Sequence, residues 1–278
     1  MKTVTAAFQC ELRKIFWRAK YWIMLVVYAA IGLGAGLIGA YGYNPRTITE
    51  FTFSITGPNV VFGALSVYRT FLIPLAVFML AADVFTHELE SKSIKCVLVR
   101  PISRFDAYLA KSLAILSYTG IALGAGFIAA ETWQFVTLAL SGNAVASAMS
   151  AATTSGFFGG VLAVAEGLPA IAEALASYAL TMLPMAAFIA VASFIAVLIR
   201  SPALVMFLCI VIYILFAFFG TFYAGAGAAL FTTYSSWYRM WFGVRLPWRN
   251  LLAASGLLLS TIVAFFGFGY FIFDKKEI

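Results

Sequence analysis

Six long apolar runs are the feature that most restricts how this chain can fold. Each is long enough to cross the hydrocarbon core of a bilayer, which takes about 20 helical residues. The runs are Tyr21–Ala40, Val67–Phe85, Ala107–Ala130, Ala174–Ile199, Ala203–Tyr223 and Leu251–Phe273. The sequence therefore predicts an all-α membrane protein with about six transmembrane helices.

The composition excludes a soluble protein and a nucleic-acid-binding one. Hydrophobic residues make up 63% of the 278 residues and charged residues 10%, whereas a soluble domain has roughly half and a quarter. The net charge of +7 does not indicate a nucleic-acid partner, because no basic patch lies on a soluble module. No internal repeat or linker divides the chain, so we expect one membrane domain over residues 1–278.

The placement of the basic residues predicts the orientation of the helices. If the N-terminus is inside, all 18 lysines and arginines fall on the cytoplasmic side except Arg46, Arg69, Arg239, Arg245 and Arg249. Basic residues collect on the cytoplasmic side of membrane proteins. An even number of spans returns the chain to its starting side, and we therefore expect both termini in the cytoplasm.

Residues 1–20 precede the first apolar run and have amphipathic spacing. The apolar positions are Phe8, Leu12, Ile15, Phe16 and Ala19, and the charged positions largely opposite them are Glu11, Arg13, Lys14 and Arg18. This pattern is typical of a helix lying in the headgroup region with its basic residues facing water. A solvated, charged leader is the alternative interpretation.

Two predicted external segments are too long to be simple turns. They are Ser141–Glu173 and Ala224–Arg249, and the second interleaves tryptophans such as Trp237 and Trp241 with arginines. Such aromatic residues suit the membrane–water interface. We therefore expect short external helices that rest on or dip into the outer leaflet.

No motif for catalysis, nucleotide binding or metal binding stands in a plausible setting. Gly34, Gly36 and Gly39 match GxGxxG inside a predicted span, where a dinucleotide site would need a soluble βαβ unit. A close-packed helix face is the better interpretation, also for Gly32xxxGly36 and Gly120xxxGly124. There is no Walker loop, His87 is the single histidine, and the three cysteines show no CxxC spacing.

Ionisable residues within the spans lie near their ends. Asp83 and Arg69 are near opposite ends of the second span, and Glu131 is at the outer end of the third. Charges near the midplane mark proton and ion pathways, and none is present. This argues against an ion-coupled carrier.

The segment 87–105 between the second and third spans is the richest in local signals. Glu88 and Lys92 form an i,i+4 pair with the acid on the N-terminal side. Pro101 disfavours a helical conformation at Arg100, and Ser103 is placed to cap the next helix. The segment is thus expected to be a structured cytoplasmic loop, serving either to set topology by its charge or to dock a soluble partner.

This loop resembles the signature of the ABC-2 family of permease subunits of ATP-binding-cassette (ABC) transporters. The family pattern is close to E-x-x-x-G/K-T-L/I-x-x-L-L-x-x-P-x-S-R, followed by a basic residue in the next helix. The matching residues are Glu88, Lys92, Ser93, Ile94, Pro101, Ser103, Arg104 and Lys111. Ser93 replaces the usual threonine and Lys92 a frequent glycine, which limits inference about the subfamily and its cargo.

The resemblance implies a permease subunit, most simply of an exporter, in the plasma membrane of a bacterium. It implies two permease chains, identical or different, and a separate cytosolic ATPase that carries the ATP and Mg²⁺, so that this chain has no catalytic residues and no cofactor. Membrane lipid is the remaining partner. The implied coupling residues, which would contact the ATPase, are Glu88, Lys92, Ser93, Arg100, Pro101, Ser103 and Arg104.

Other function classes remain open at the level of sequence. A permease-like subunit that confers immunity or relays a signal would share the same organisation. A membrane enzyme or an ion-coupled carrier would need polar clusters at the midplane. The cargo is also open: the resemblance is compatible with a peptide, a bacteriocin, a drug, a lipid or sodium. The Phe-rich fifth span suits a lipid-like cargo, but aromatic residues on a membrane helix more often face lipid or pack against other helices.

Overall fold

A computed structural model describes residues 2–41, 59–86, 103–141, 168–199, 201–222, 230–241 and 248–275. The described residues contain helices and no strands. The helices are α1 (Lys2–Phe16), α2 (Ala19–Tyr41), α3 (Asn59–Val67), α4 (Ile73–Ala81), α5 (Arg104–Ser141), α6 (Leu168–Leu180), α7 (Met182–Leu198), α8 (Pro202–Phe222) and α9 (Trp248–Lys275). Two π-helical segments, Tyr68–Leu72 and Ala82–Thr86, flank α4, and a 3₁₀ segment covers Phe231–Trp241.

The helices confirm the prediction of an all-α membrane protein. Five helical stretches are long and apolar enough to cross a bilayer: Ala64–Thr86, Arg104–Trp133, Ala174–Leu198, Pro202–Phe219 and Trp248–Lys275. The first joins the end of α3 to α4 and the π-helical segments, and the third joins α6 to α7. A sixth span arises if the bent pair Val4–Phe16 and Ala19–Gly34 counts as one. The predicted number of about six spans therefore agrees with the structure.

The amphipathic N-terminal segment forms α1, which ends at Phe16 rather than continuing to residue 20. A bend of 76° separates it from α2. The amide of Trp17 still donates to the carbonyl of Arg13 at 2.9 Å, and the chain resumes its helix after Arg18. Ile15 is buried, as the apolar face predicts, but Glu11 is also buried. The sequence placed Glu11 largely opposite the apolar positions, yet it is buried, and a cation from another helix, Lys111, lies beside it.

Two prolines within the spans, Pro74 and Pro184, lie close to boundaries between helical elements. Pro74 lies at the start of α4 and has no N–H to donate to the carbonyl four residues earlier. That carbonyl belongs to Thr70, and it accepts a hydrogen bond of 2.6 Å from the hydroxyl of Tyr213. Near Pro184 the fourth span divides into α6 and α7 at Thr181.

Small residues bring α2 and α5 into close contact. A Cβ on Gly32 would lie 2.8 Å from the carbonyl oxygen of Gly126, and a Cβ on Gly126 would lie 2.7 Å from the ring of Tyr68. Gly120 also packs closely, against Met182, whereas Gly34 and Gly124 face open space. The predicted close-packed faces are therefore right for Gly32 and Gly120, and wrong within this chain for Gly34 and Gly124.

The two segments that the sequence predicts to be external are only partly described. Residues 142–167 lie outside the described residues, so the expected helix there is not tested. The 3₁₀ segment Phe231–Trp241 confirms a short helix in the second external segment. Its Trp237 and Tyr238 are buried rather than spread at the membrane surface. The 3₁₀ segment packs on α7 and α9, and both residues belong to the hydrophobic core.

Candidate functional site at the elbow end

Four elements meet at one end of the bundle. They are the end of α1 with the start of α2, the π-helical segment Ala82–Thr86, the start of α5 and the end of α9. We call this the elbow end. Side-chain contacts join all four: Glu11 to Lys111, Lys20 to Asp83, and Arg104 to Asp274. The segment 87–102 leaves from Thr86 and returns at Ser103, so it is attached to this end.

Lys111 is a buried cation at the centre of the elbow end. Its side chain is 3% exposed, and its Nζ lies 3.5 Å from the Glu11 Oε2. The same Nζ donates to the carbonyl of Val84 at 3.1 Å. A buried charge is stabilised only if an opposite charge and hydrogen bonds compensate it. Lys111 therefore ties α1, the end of the second span and α5 to one another.

Asp83 forms a second junction beside the first. Its carboxylate accepts a hydrogen bond from the Tyr21 hydroxyl and pairs with Lys20. Arg18 lies 3.6 Å from the same oxygen. These contacts link the bend between α1 and α2 to the second span, so the two junctions together fix the position of α1.

The cavity between these side chains is about 20 Å³, lined by Glu11, Lys14, Arg18, Tyr21 and Asp83, with Ile15 and Val84. That volume has room for about one water molecule. The described residues also contain no group of three potential metal ligands. Within the described part of the chain, the side chains of the elbow end therefore fill most of the space between its elements.

Two of the predicted coupling residues lie at the elbow end. The Ser103 hydroxyl accepts a hydrogen bond of 3.0 Å from the amide of Asp106, which is the N-cap that the sequence predicts. Arg104 donates to the carbonyl of Asp274, near the end of α9. Glu88, Lys92, Ser93, Arg100 and Pro101 lie outside the described residues, so their placement stays a prediction.

Replacing Ser103 with alanine is expected to lower the free energy of unfolding by about 1 kcal/mol, because the first turn of α5 loses its cap. Faster hydrogen exchange at Asp106 and Ala107, measured by mass spectrometry in detergent, would report the local effect. Ser103→Asp keeps an acceptor and should retain protection. Equal exchange in the wild type and Ser103→Ala would show that the cap contributes nothing.

Sequence reasoning missed the partnership of Glu11 and Lys111. Lys111 matches the basic position that follows the loop pattern, but no role followed from that match. One signal was available: Lys111 is the only charged residue of the predicted third span, Ala107–Ala130, and such residues usually face a partner inside the bundle. Nothing in the sequence indicated that this partner is Glu11, 100 positions earlier in the chain.

Comparison with known proteins gives a family for the chain. No curated protein matches it. The family model described as "ABC-2 family transporter protein" matches residues 6–239. This match covers most of the 278 residues, from α1 to the 3₁₀ segment. It includes the segment 87–102 and the elbow end except for α9, which follows the matched residues. The chain is therefore a multi-pass membrane protein that belongs to the ABC-2 family of transporter proteins, as a permease component.

Proposed function

We propose that this permease is half of the membrane part of an exporter driven by a separate cytosolic ATPase. The ATPase carries the ATP and Mg²⁺ and docks at the elbow end, against α1 and the segment 87–105. The elbow end then faces the cytoplasm. The direction of transport rests on the resemblance to ABC-2 exporters, and the site of docking rests on the geometry of the elbow end.

One observation supports the docking site above all: the buried pair of Glu11 and Lys111. A force on the segment 87–102 acts on Thr86 and Ser103, the residues at which it joins the bundle. Lys111 lies two turns into α5 from Ser103, and it holds both α1 and the carbonyl of Val84. A displacement of the loop is thereby passed to three helices together.

The response we propose is a rigid-body movement of helices rather than local melting. Packed elements with discrete contacts shift as units between alternative arrangements. The second span is suited to this, because π-helical segments lie at both ends of α4, and such segments often occur at functional positions in helices. Alternation between inward-open and outward-open states would follow from tilting this span with α1.

A second permease chain completes the proposed transporter. The most exposed apolar helix is α8, on which Phe207, Ile214 and Phe218 project outward, whereas Tyr213 and Phe216 pack inward on the core. The exposed side of α8 faces lipid or the second permease. We propose that the pathway runs between the two chains and is lined by the first, second and fifth predicted spans.

Charge reversal tests the docking site. Glu88→Lys and Arg104→Glu are each expected to reduce recovery of the ATPase with tagged permease at least severalfold, because like charges then oppose each other across the interface. The measurement is the ATPase activity that co-purifies from native membranes in mild detergent. Arg249→Glu, an equal charge change on an exposed residue at the other end of α9, is the control.

Two outcomes would contradict this proposal. If no ATPase co-purifies with the wild-type permease, the chain does not work with a separate ATPase subunit. If both single reversals behave as the wild type does, the loop is not the contact. Vesicles that turn over ATP without moving any candidate cargo would instead favour the relay subunit, the alternative with the same architecture.

A further inference from the structure

The outer side of the bend between α1 and α2 carries basic and indole side chains. Arg13 and Lys20 are exposed, and Lys14 and Arg18 are half-exposed. Trp17, at the bend itself, is 90% exposed. We call these five residues the basic bend.

The basic bend keeps a net positive charge because its four cations outnumber the two carboxylates that contact them. Glu11 is turned inward, and its carboxylate is shared between Lys14 and the buried Lys111. Asp83 is shared by Lys20 and Arg18. Within the described part of the chain, no carboxylate lies within salt-bridge distance of Arg13. The burial of Glu11 thus leaves more cations than anions on the outer side of the bend.

The basic bend lies where the lipid-facing side of α2 begins. Trp22, Ile23 and Val26 are exposed apolar residues on the first two turns of α2. With a rise of about 1.5 Å per residue, Ile23 lies only about 5 Å along the helix from Lys20. The Trp22 indole also donates to the Phe16 carbonyl at 2.8 Å, which holds a second indole at the bend. Indoles and basic residues in this order are typical of the headgroup level.

We propose that the basic bend binds the headgroups of anionic phospholipids. Guanidinium and ammonium groups make charge-assisted hydrogen bonds to phosphate, and an anionic leaflet attracts basic segments at its surface. Lipid is favoured over a soluble partner because Trp17 and Trp22 continue directly into the lipid-facing side of α2. This interaction does not require the proposed ATPase. It would hold α1 at the membrane surface while the spans move.

Native mass spectrometry of the purified full chain tests this surface. The protein is equilibrated with equal amounts of phosphatidylglycerol and phosphatidylcholine with the same acyl chains, and the ratio of bound lipids is measured. We expect phosphatidylglycerol to be enriched on the wild type. Arg13→Gln and Lys20→Gln should each lower the enrichment up to about fivefold, and the double variant should lower it further.

Matched variants separate this effect from misfolding. Arg249→Gln removes an exposed arginine beside the exposed Trp248, at the opposite end of the bundle, and should leave the ratio unchanged. Arg13→Lys with Lys20→Arg keeps both charges and should retain enrichment. Equal binding of both lipids by the wild type would overturn the proposal, as would equal losses in Arg13→Gln and Arg249→Gln. Displacement of the lipid by millimolar inorganic phosphate would show a general anion site instead.

Discussion

Replacing Lys111 with methionine is expected to lower the free energy of unfolding by up to about 3–5 kcal/mol. The Glu11 carboxylate then loses its buried cation and keeps only the partly exposed Lys14. The Lys111 side chain is 3% exposed and that of Glu11 9%, so water does little to compensate either charge. The carbonyl of Val84 loses its donor as well. The unfolding midpoint of the purified chain in detergent measures the effect.

Lys14 provides the matched control, because its Nζ also contacts Glu11, at 2.9 Å, but its side chain is 41% exposed. Lys14→Met should cost no more than about 1 kcal/mol, as exposed ion pairs do. The double variant Glu11→Gln/Lys111→Met lacks the buried carboxylate of Glu11, so it should be more stable than Lys111→Met alone. Equal losses from Lys111→Met and Lys14→Met would contradict the buried junction.

Replacing Gly32 with alanine is expected to be the other strongly damaging change, with a cost of about 1–3 kcal/mol from overpacking. The new Cβ would lie 2.8 Å from the carbonyl oxygen of Gly126 and equally close to the Tyr68 hydroxyl. Neither of these two atoms can easily move away from the new methyl group. The carbonyl belongs to α5, and the fully buried Tyr68 donates to the Tyr28 carbonyl at 2.7 Å.

Gly34→Ala is the control, because Gly34 lies on the same helix, two residues after Gly32. Nothing lies within 4 Å of its Cβ position, and alanine favours helix more than glycine does. Its unfolding midpoint should be unchanged or higher, whereas that of Gly32→Ala should fall. If both variants unfold at the wild-type temperature, α2 and α5 do not pack as described.

Much of the fold was predictable because lipid leaves few choices to an apolar chain. Runs of about 20 apolar residues gave the spans, and the spacing of Phe8, Leu12 and Ile15 gave the amphipathic helix. The cap at Ser103 was predictable from local chemistry alone. These signals are all contained within one helix or one turn, which is why the sequence carries them.

The site was harder to predict, because its contacts join distant parts of the chain. Periodicity placed Glu11 opposite the apolar face, but Glu11 is buried next to Lys111 of another helix. Trp237 and Tyr238 are of the residue types that form interfacial aromatic belts, yet both are buried in the bundle. Gly34 and Gly124 fit a small-residue pattern that only Gly32 and Gly120 use for packing within the chain. Tertiary contacts decided each of these cases.

We propose that the elbow end lies in the cytoplasm, where an ATPase can reach it. The two ends of α9 test this directly, since Arg249 and Lys275 are both exposed and 28 helical residues, about 42 Å of rise, cover the distance between its termini. Arg249→Cys and Lys275→Cys are made in a chain with Cys10, Cys96 and Cys209 replaced by serine. A membrane-impermeant maleimide should label Lys275→Cys only in inverted vesicles and Arg249→Cys only in right-side-out vesicles. The reverse pattern would place the elbow end outside and contradict the account.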